Sequence, residues 1–127
     1  MAHLRDIVVD CRHPATVARF WAAALDGYDV APYDDAELAR LRANGIDDPE
    51  DDPTVLVERA DGGGPRFFFQ LVPEAKVVKN RLHLDLRAEE PAAEVARLVG
   101  LGALVLVEHP GFVVLADPER NEFCVLR

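Results

Sequence analysis

Residues 81–87, Arg-Leu-His-Leu-Asp-Leu-Arg, alternate without a break between leucine and a polar or charged side chain. A period of two fits a strand buried on one face, and no helix can use it. Leu82, Leu84 and Leu86 then face a core, while Arg81, His83, Asp85 and Arg87 face the other way. Pro91 follows and opens a helix, where its missing N–H costs nothing. Val95, Leu98 and Val99 give that helix an apolar stripe, and Gly100 and Gly102 lie at its end. Strands are expected near 103–107, 111–116 and 122–127. The same order appears earlier in the chain. Residues 4–11 alternate, with Ile7, Val9 and Cys11 on one face and Asp6, Val8 and Asp10 on the other. Pro14 opens a helix whose Val17, Phe20, Trp21, Ala24 and Leu25 share one side, and Gly27 closes it. Strands follow near Tyr28–Ala31, 54–59 and 66–72. Between them, Asp34 followed by Glu37 marks the start of a short helix over 35–43, inside an insertion spanning 33–53.

The chain therefore reads β-α-β-β-β twice. Module 1 covers about 1–74 and module 2 about 79–127, within a single domain 1–127. Each such module buries one sheet face under its own helix and leaves the other open. The fold expected is α+β, with two βαβββ modules forming an incompletely closed barrel around a cup. The faces sort the residues. Ile7, Val9, Cys11, Leu82, Leu84, Leu86, Phe123 and Val125 pack under helices. Asp6, Asp10, Phe68, Gln70, His83, Asp85, Arg87, Glu122 and Cys124 line the cup. Buried polar groups cost about 1–3 kcal/mol each when unpaired, so a polar concave face calls for water, a ligand or a metal inside it. A plain solvated sheet face is the alternative.

Composition narrows the partners. Twenty-three acids against fourteen bases leave a formal charge of -9, which repels phosphate backbones and disfavours nucleic acid. The two cysteines, Cys11 and Cys124, sit in apolar runs and read as buried thiols rather than a disulfide framework. No apolar run approaches the ~20 residues of a spanning helix, and the N-terminus lacks a signal-peptide pattern. A cytoplasmic location with no membrane contact is expected.

Several segments resemble the glyoxalase-like branch of the vicinal oxygen chelate superfamily, the glyoxalase/bleomycin resistance fold. They are the openings Asp10-Cys11-Arg12-His13-Pro14 and Arg87-Ala88-Glu89-Glu90-Pro91, the Phe20-Trp21 pair, Asn80-Arg81-Leu82-His83-Leu84-Asp85-Leu86, and Asp117-Pro118-Glu119-Arg120-Asn121-Glu122-Phe123-Cys124. The resemblance implies a small oxygen-rich ligand, a homodimer, and lyase or isomerase chemistry if the protein is an enzyme. In the superfamily's metalloenzymes, one side chain from the first and one from the last strand of each module meet a divalent metal that acts as a Lewis acid. Carried over, that pattern implies the metal set Asp6, Gln70, His83 and Cys124. Asp6 and His83 each lie eight residues before a helix-opening proline, and Gln70 and Cys124 lie near the last-strand positions. His83 matches the family's histidine. Cys124 stands where a glutamate is usual, and Glu122 is two residues short of that place. A set mixing oxygen with thiolate suits zinc better than magnesium; zinc, nickel and manganese are the ions considered, beside a cup with no metal. The arrangement of two histidines and one carboxylate that defines an iron dioxygenase is absent.

His83 and Glu122 are the candidate catalytic residues, His83 as ligand, base or donor and Glu122 as base if a dry cup raises its pKa. Asp6, Phe68, Gln70, Asp85 and Arg87 are the candidate ligand-binding residues, with Phe68 available to stack on a flat molecule. Each has a simpler role open to it: His83 bonded to Asp85, Glu122 in a salt bridge with Arg81 or Arg87, Cys124 an inert thiol, Phe68 packing. The insertion forms either a lid or a surface excursion. A metal-free, drug-binding protein of bleomycin-resistance type is the alternative function, and an interaction domain with a collapsed cup is the third.

Overall fold

A computed structural model describes all residues, Met1–Arg127, as two compact units, Met1–Ala75 and Lys76–Arg127. The first contains β1 (Asp6–Cys11), α1 (Pro14–Ala24), β2 (Tyr28–Val30), α2 (Asp35–Ala43), a 3-10 turn (Pro49–Asp51), β3 (Thr54–Arg59) and β4 (Arg66–Leu71). The second contains β5 (Leu84–Arg87), α3 (Pro91–Leu101), β6 (Leu104–Glu108), β7 (Phe112–Ala116) and β8 (Glu122–Leu126). Each unit is a four-stranded open sheet, ordered β1-β4-β3-β2 in one and β5-β8-β7-β6 in the other. The first and last strands of each module run parallel side by side, and every other pairing is antiparallel. The fold is α+β, two βαβββ modules, as the repeated element order predicts. No helix is long and apolar enough to cross a membrane.

Both helix-opening prolines stand at the first helical position. In module 1 the helix stripe and the alternating strands meet as expected. Val17, Phe20 and Trp21 of α1 are buried, and so are Val55 and Val57 of β3 and Phe67 and Phe69 of β4, the strands under the helix. The Phe20 and Trp21 rings meet edge to face at 5.3 Å. In α2 the Asp34 carboxylate accepts from the Glu37 N–H at 2.9 Å. Glu37's own side chain turns to Arg40 instead of closing the reciprocal bond. Gly102, in the left-handed region at φ +118°, ends α3, while Gly100 remains inside it.

Module 2 departs from the sequence reading in two respects. Its first strand is short: only Leu84–Arg87 pair, so Arg81, Leu82 and His83 lie in the turn before β5. Leu82, expected under the helix, is 67% exposed. Alternation set the faces of β5 correctly but could not say where pairing starts, because that depends on how far β8 extends beside it. The second departure is the helix. α1 buries seven residues, whereas α3 buries only Leu98, and edge strand β6 is exposed along its whole length. Below the helix, Val113, Leu115, Phe123 and Val125 are buried nonetheless.

Phe69 is fully buried at the centre of module 1, between β1 and β3. Phe69→Ala is expected to lower unfolding free energy by about 3–5 kcal/mol, read from urea denaturation followed by circular dichroism. A loss under about 1 kcal/mol would show that this core does not carry the module.

Candidate functional site

Strand register decides which side chains share the open face. In module 1, Asp6 pairs with Arg66, Val8 with Phe68 and Asp10 with Gln70. In module 2, Leu84 pairs with Phe123, Asp85 with Cys124 and Arg87 with Leu126. Neighbours in a ladder point to the same side, so Phe68, Gln70, Asp85, Arg87, Glu122 and Cys124 lie on the faces away from the helices, as the alternation predicts.

The registers also give the correspondence between modules. Aligning Pro14 with Pro91 matches Ile7 to Leu84, and their ladder partners are Phe67 and Phe123. The position in β4 equivalent to Cys124 is therefore Phe68, not Gln70, and Arg66 is equivalent to Glu122. Asp6 and Gln70 are four ladder positions apart, about 13 Å along the strands. One ion with bonds of 2.0–2.6 Å cannot hold both, so the implied metal set is corrected at that pair. Asp6 is moreover engaged elsewhere. Its carboxylate accepts from Arg66 Nε at 2.8 Å and Nη2 at 3.2 Å, with Arg5 Nε 3.3 Å away. The Arg66 hydrogen bond outweighs burial and, with both positive charges, lowers the Asp6 pKa. The Arg66 guanidinium also lies 5.2 Å from the Phe68 ring centroid. Gln70 is exposed at the end of β4.

In module 2, one nitrogen, one oxygen and one sulfur donor, from His83, Asp85 and Cys124, all lie within 4.8 Å of one another. His83 Nε2 is 3.6 Å from Asp85 Oδ1, and both side chains are about half exposed (46% and 53%). Cys124 is buried. Burial pushes its thiol pKa up, and the Asp85 charge and hydrogen bond push it further, with Lys79 opposing. A thiol so placed is a poor nucleophile, because burial and the Asp85 charge disfavour the thiolate. As ligands the three fit better: imidazole, carboxylate and thiolate are zinc's usual donors, and a dication displaces the thiol proton. Asp85, expected to contact a ligand, is the donor that the implied metal set lacked. Its signal was present in the alternation, two residues after His83 on the same face.

Glu122 is held by its own module. Its carboxylate accepts from Lys76 Nζ at 2.9 Å and from the Asn80 N–H at 3.0 Å, and Lys76 also donates to the Val78 carbonyl at 2.8 Å. The expected partner was Arg81 or Arg87; Lys76 takes that place, and the Asn80 N–H holds the second carboxylate oxygen. Burial pushes the Glu122 carboxyl up, but the bonds from Asn80 and Lys76 and the Lys76 charge prevail, holding it at about 2. The turn before β8 is equally fixed. Asp117, buried, accepts from the Glu119 and Asn121 N–H groups at 2.8 and 2.9 Å, and Arg120 takes the left-handed region at φ +68°.

A family model described as "Glyoxalase-like domain" matches residues 6–126. The chain belongs to that family, within the vicinal oxygen chelate superfamily. No curated protein sequence matches it. Solved structures share the fold of this glyoxalase-like domain at low identity. A glyoxalase/bleomycin resistance protein/dioxygenase family enzyme from Burkholderia phytofirmans PsJN is 17% identical, with TM-score 0.64 over 98% of this chain and 97% of that one. The fosfomycin resistance protein FosX from Mesorhizobium loti is 14% identical, with TM-score 0.65 over 99% and 91%. A FosX variant from Listeria monocytogenes, solved with Mn(II) and 1S,2S-dihydroxypropylphosphonic acid, is 12% identical, with TM-score 0.66 over 99% and 90%.

The clamp on Glu122 has a pH signature. Its folded pKa of about 2 lies below the ordinary 4.5, so its stabilisation is complete above pH 4.5 and is lost as pH falls toward 2. Lys76→Met is expected to move the Glu122 titration, followed by carbon-detected NMR, up toward 4.5. An unmoved titration would show that Lys76 does not set it.

Proposed function

We propose that this glyoxalase-like domain binds a small oxygen-rich molecule at the open face of module 2, beside a divalent ion held by His83, Asp85 and Cys124. The observation that carries the reading is the convergence of three chemically different donors within 4.8 Å. Zinc suits this set best, ahead of nickel and manganese, because it accepts nitrogen, oxygen and sulfur together. A bound dication supplies Lewis acidity to the oxygens of the ligand. Arg87, next to Asp85 on the same strand, offers a guanidinium for a carboxylate or phosphonate group. Glu122, at about 2, is a weak proton acceptor near neutral pH. In this reading it anchors residues 76–80 and so positions His83 as a ligand of the ion. Lyase or isomerase chemistry is the form a reaction here would take. The complex of FosX with Mn(II) and a phosphonic acid supports the ligand class by analogy of fold.

A metal-free binding protein is the second reading, favoured by the raised Cys124 pKa and by the absence of a carboxylate at Phe68, the module 1 counterpart of Cys124. Titration with zinc, nickel, manganese and cobalt(II) after chelation and dialysis separates the two. Under the metal reading zinc binds at micromolar or tighter, and cobalt gives a thiolate charge-transfer band that Cys124→Ala abolishes. His83→Ala or Asp85→Asn weakens binding by roughly tenfold or more, and Asp6→Asn leaves it unchanged. No ion bound more tightly than micromolar leaves the metal-free reading.

A homodimer belongs to the same proposal. Edge strand β6 presents Leu104, Val105, Leu106 and Val107, each more than two-fifths exposed, an apolar edge that isolated proteins generally cover or charge. Sedimentation is expected to give a dimer, and Leu106→Lys to shift it to monomer. A wild-type monomer at tens of micromolar would refute this part.

A further inference from the structure

The 33–53 insertion has an effect that the metal reading does not use. It folds over the open face of its own sheet and walls a cavity of about 460 Å³, within the ~300–1,000 Å³ typical of small-molecule sites. One wall is the sheet: Leu56 and Phe68 are ladder neighbours on adjacent strands, with Thr54 and Glu58 flanking Leu56 on β3. The opposite wall is Tyr33 and the first turns of α2, whose Glu37 and Arg40 bond each other at 2.9 Å.

The lining has a definite charge. Three carboxylates, Glu37, Asp52 and Glu58, outnumber the two guanidiniums near them: Arg40 is bonded to Glu37 and also feels the Asp52 charge, and Arg66 feels that of Glu58. Asp52 is the built element. It is 3% exposed, and its two oxygens accept one hydrogen bond each, from the Thr54 N–H at 2.9 Å and the Tyr33 hydroxyl at 2.8 Å. An ionised carboxylate has about four acceptor sites, so acceptor capacity remains on a buried anion at the cavity wall. Burial, the bond to Asp52 and the neighbouring carboxylate charges all push the Tyr33 pKa up, so its hydroxyl stays a donor to Asp52 at any working pH. Phe68 adds an aromatic side chain for an apolar body to pack on, with the Arg66 guanidinium 5.2 Å from its ring centroid.

We propose that this cavity is a binding site for a small organic ammonium with an apolar or aromatic body, the body against Leu56 and Phe68 and the charge toward Asp52 and Glu58. The site lies wholly within module 1 and does not depend on the metal reading. Anionic ligands meet an excess of carboxylate charge there, and neutral isosteres lose the ion pairing.

The test uses the full chain and three probes of one shape: benzylamine, benzyl alcohol and benzoate, titrated at pH 7 by isothermal calorimetry and by amide NMR. Benzylammonium is expected to bind saturably, with shifts centred on Tyr33, Asp52, Leu56 and Phe68. Benzyl alcohol should bind roughly tenfold or more weakly, and benzoate not at all. Glu58→Gln and Phe68→Leu, surface-facing changes that spare the core, are each expected to weaken the amine several-fold, and a chelator to leave it unchanged. The proposal is overturned by no saturable binding into the millimolar range. It is equally overturned if benzoate matches the amine, or if both variants bind as the wild type does. Loss of binding on chelation would assign the amine to the metal site instead.

Discussion

Parallel, in-register pairing of the first and last strands of each module is the constraint from which the chemistry follows. A βαβββ chain must bring its last strand back beside its first, and once one pair of neighbours is fixed, every other pair along the ladder is fixed too. Leu84 beside Phe123 places Asp85 beside Cys124; Ile7 beside Phe67 places Asp6 beside Arg66 and Val8 beside Phe68. A slip of one residue would turn Cys124 under the helix and bring Phe123 out. Burial of Phe123 and Val125 is worth about 1.5–3 kcal/mol for each side chain. The apolar half of β8 thereby holds the polar half in position.

The same backbone carries different chemistry in the two modules. Where module 2 has His83 and Cys124, module 1 has Asp6, tied to Arg66, and Phe68. Module 1 therefore has no paired donors at the equivalent places and presents an aromatic face instead. Its open side is partly enclosed by an insertion that module 2 lacks, anchored by the buried Asp52–Tyr33 bond. Module 2 keeps His83 and Asp85 exposed at the start of β5 beside the buried Cys124 of β8, whose leading residues are tied by the Lys76–Glu122–Asn80 clamp and the Asp117 turn. The modules also differ below the sheet: a well-covered α1 makes a closed core, while a sparsely buried α3 and a bare β6 leave apolar surface in module 2.

Much of this was legible from side-chain periodicity. Period two gave the strands and their faces, period 3.6 gave α1 and α3, and the two prolines and the Asp34 cap gave the helix starts. Those signals are local, since each depends on a few residues and on a geometry that every strand or helix shares. His83, Asp85 and Cys124 could be placed on one open face for the same reason. Gln70 was placed only near the last-strand position, and the β1–β4 register puts Phe68 there instead, because register depends on which residues of two distant strands meet. The start of β5 was misplaced because Arg81, Leu82 and His83 continue the alternation although β8 offers them no partner.

The sequence alone thus determined the element order, the helix-opening positions and the division of each strand into an apolar and a polar side. All of these follow from the chirality and repeat of the backbone. Tertiary structure decided which polar residues stand together. Asp6 was drawn to Arg66, Glu122 to Lys76 and Asn80, and Asp52 to Tyr33 across nineteen positions. Such pairings join residues far apart in the chain, and a carboxylate's choice among many cations and donors is settled only when packing fixes the distances between them.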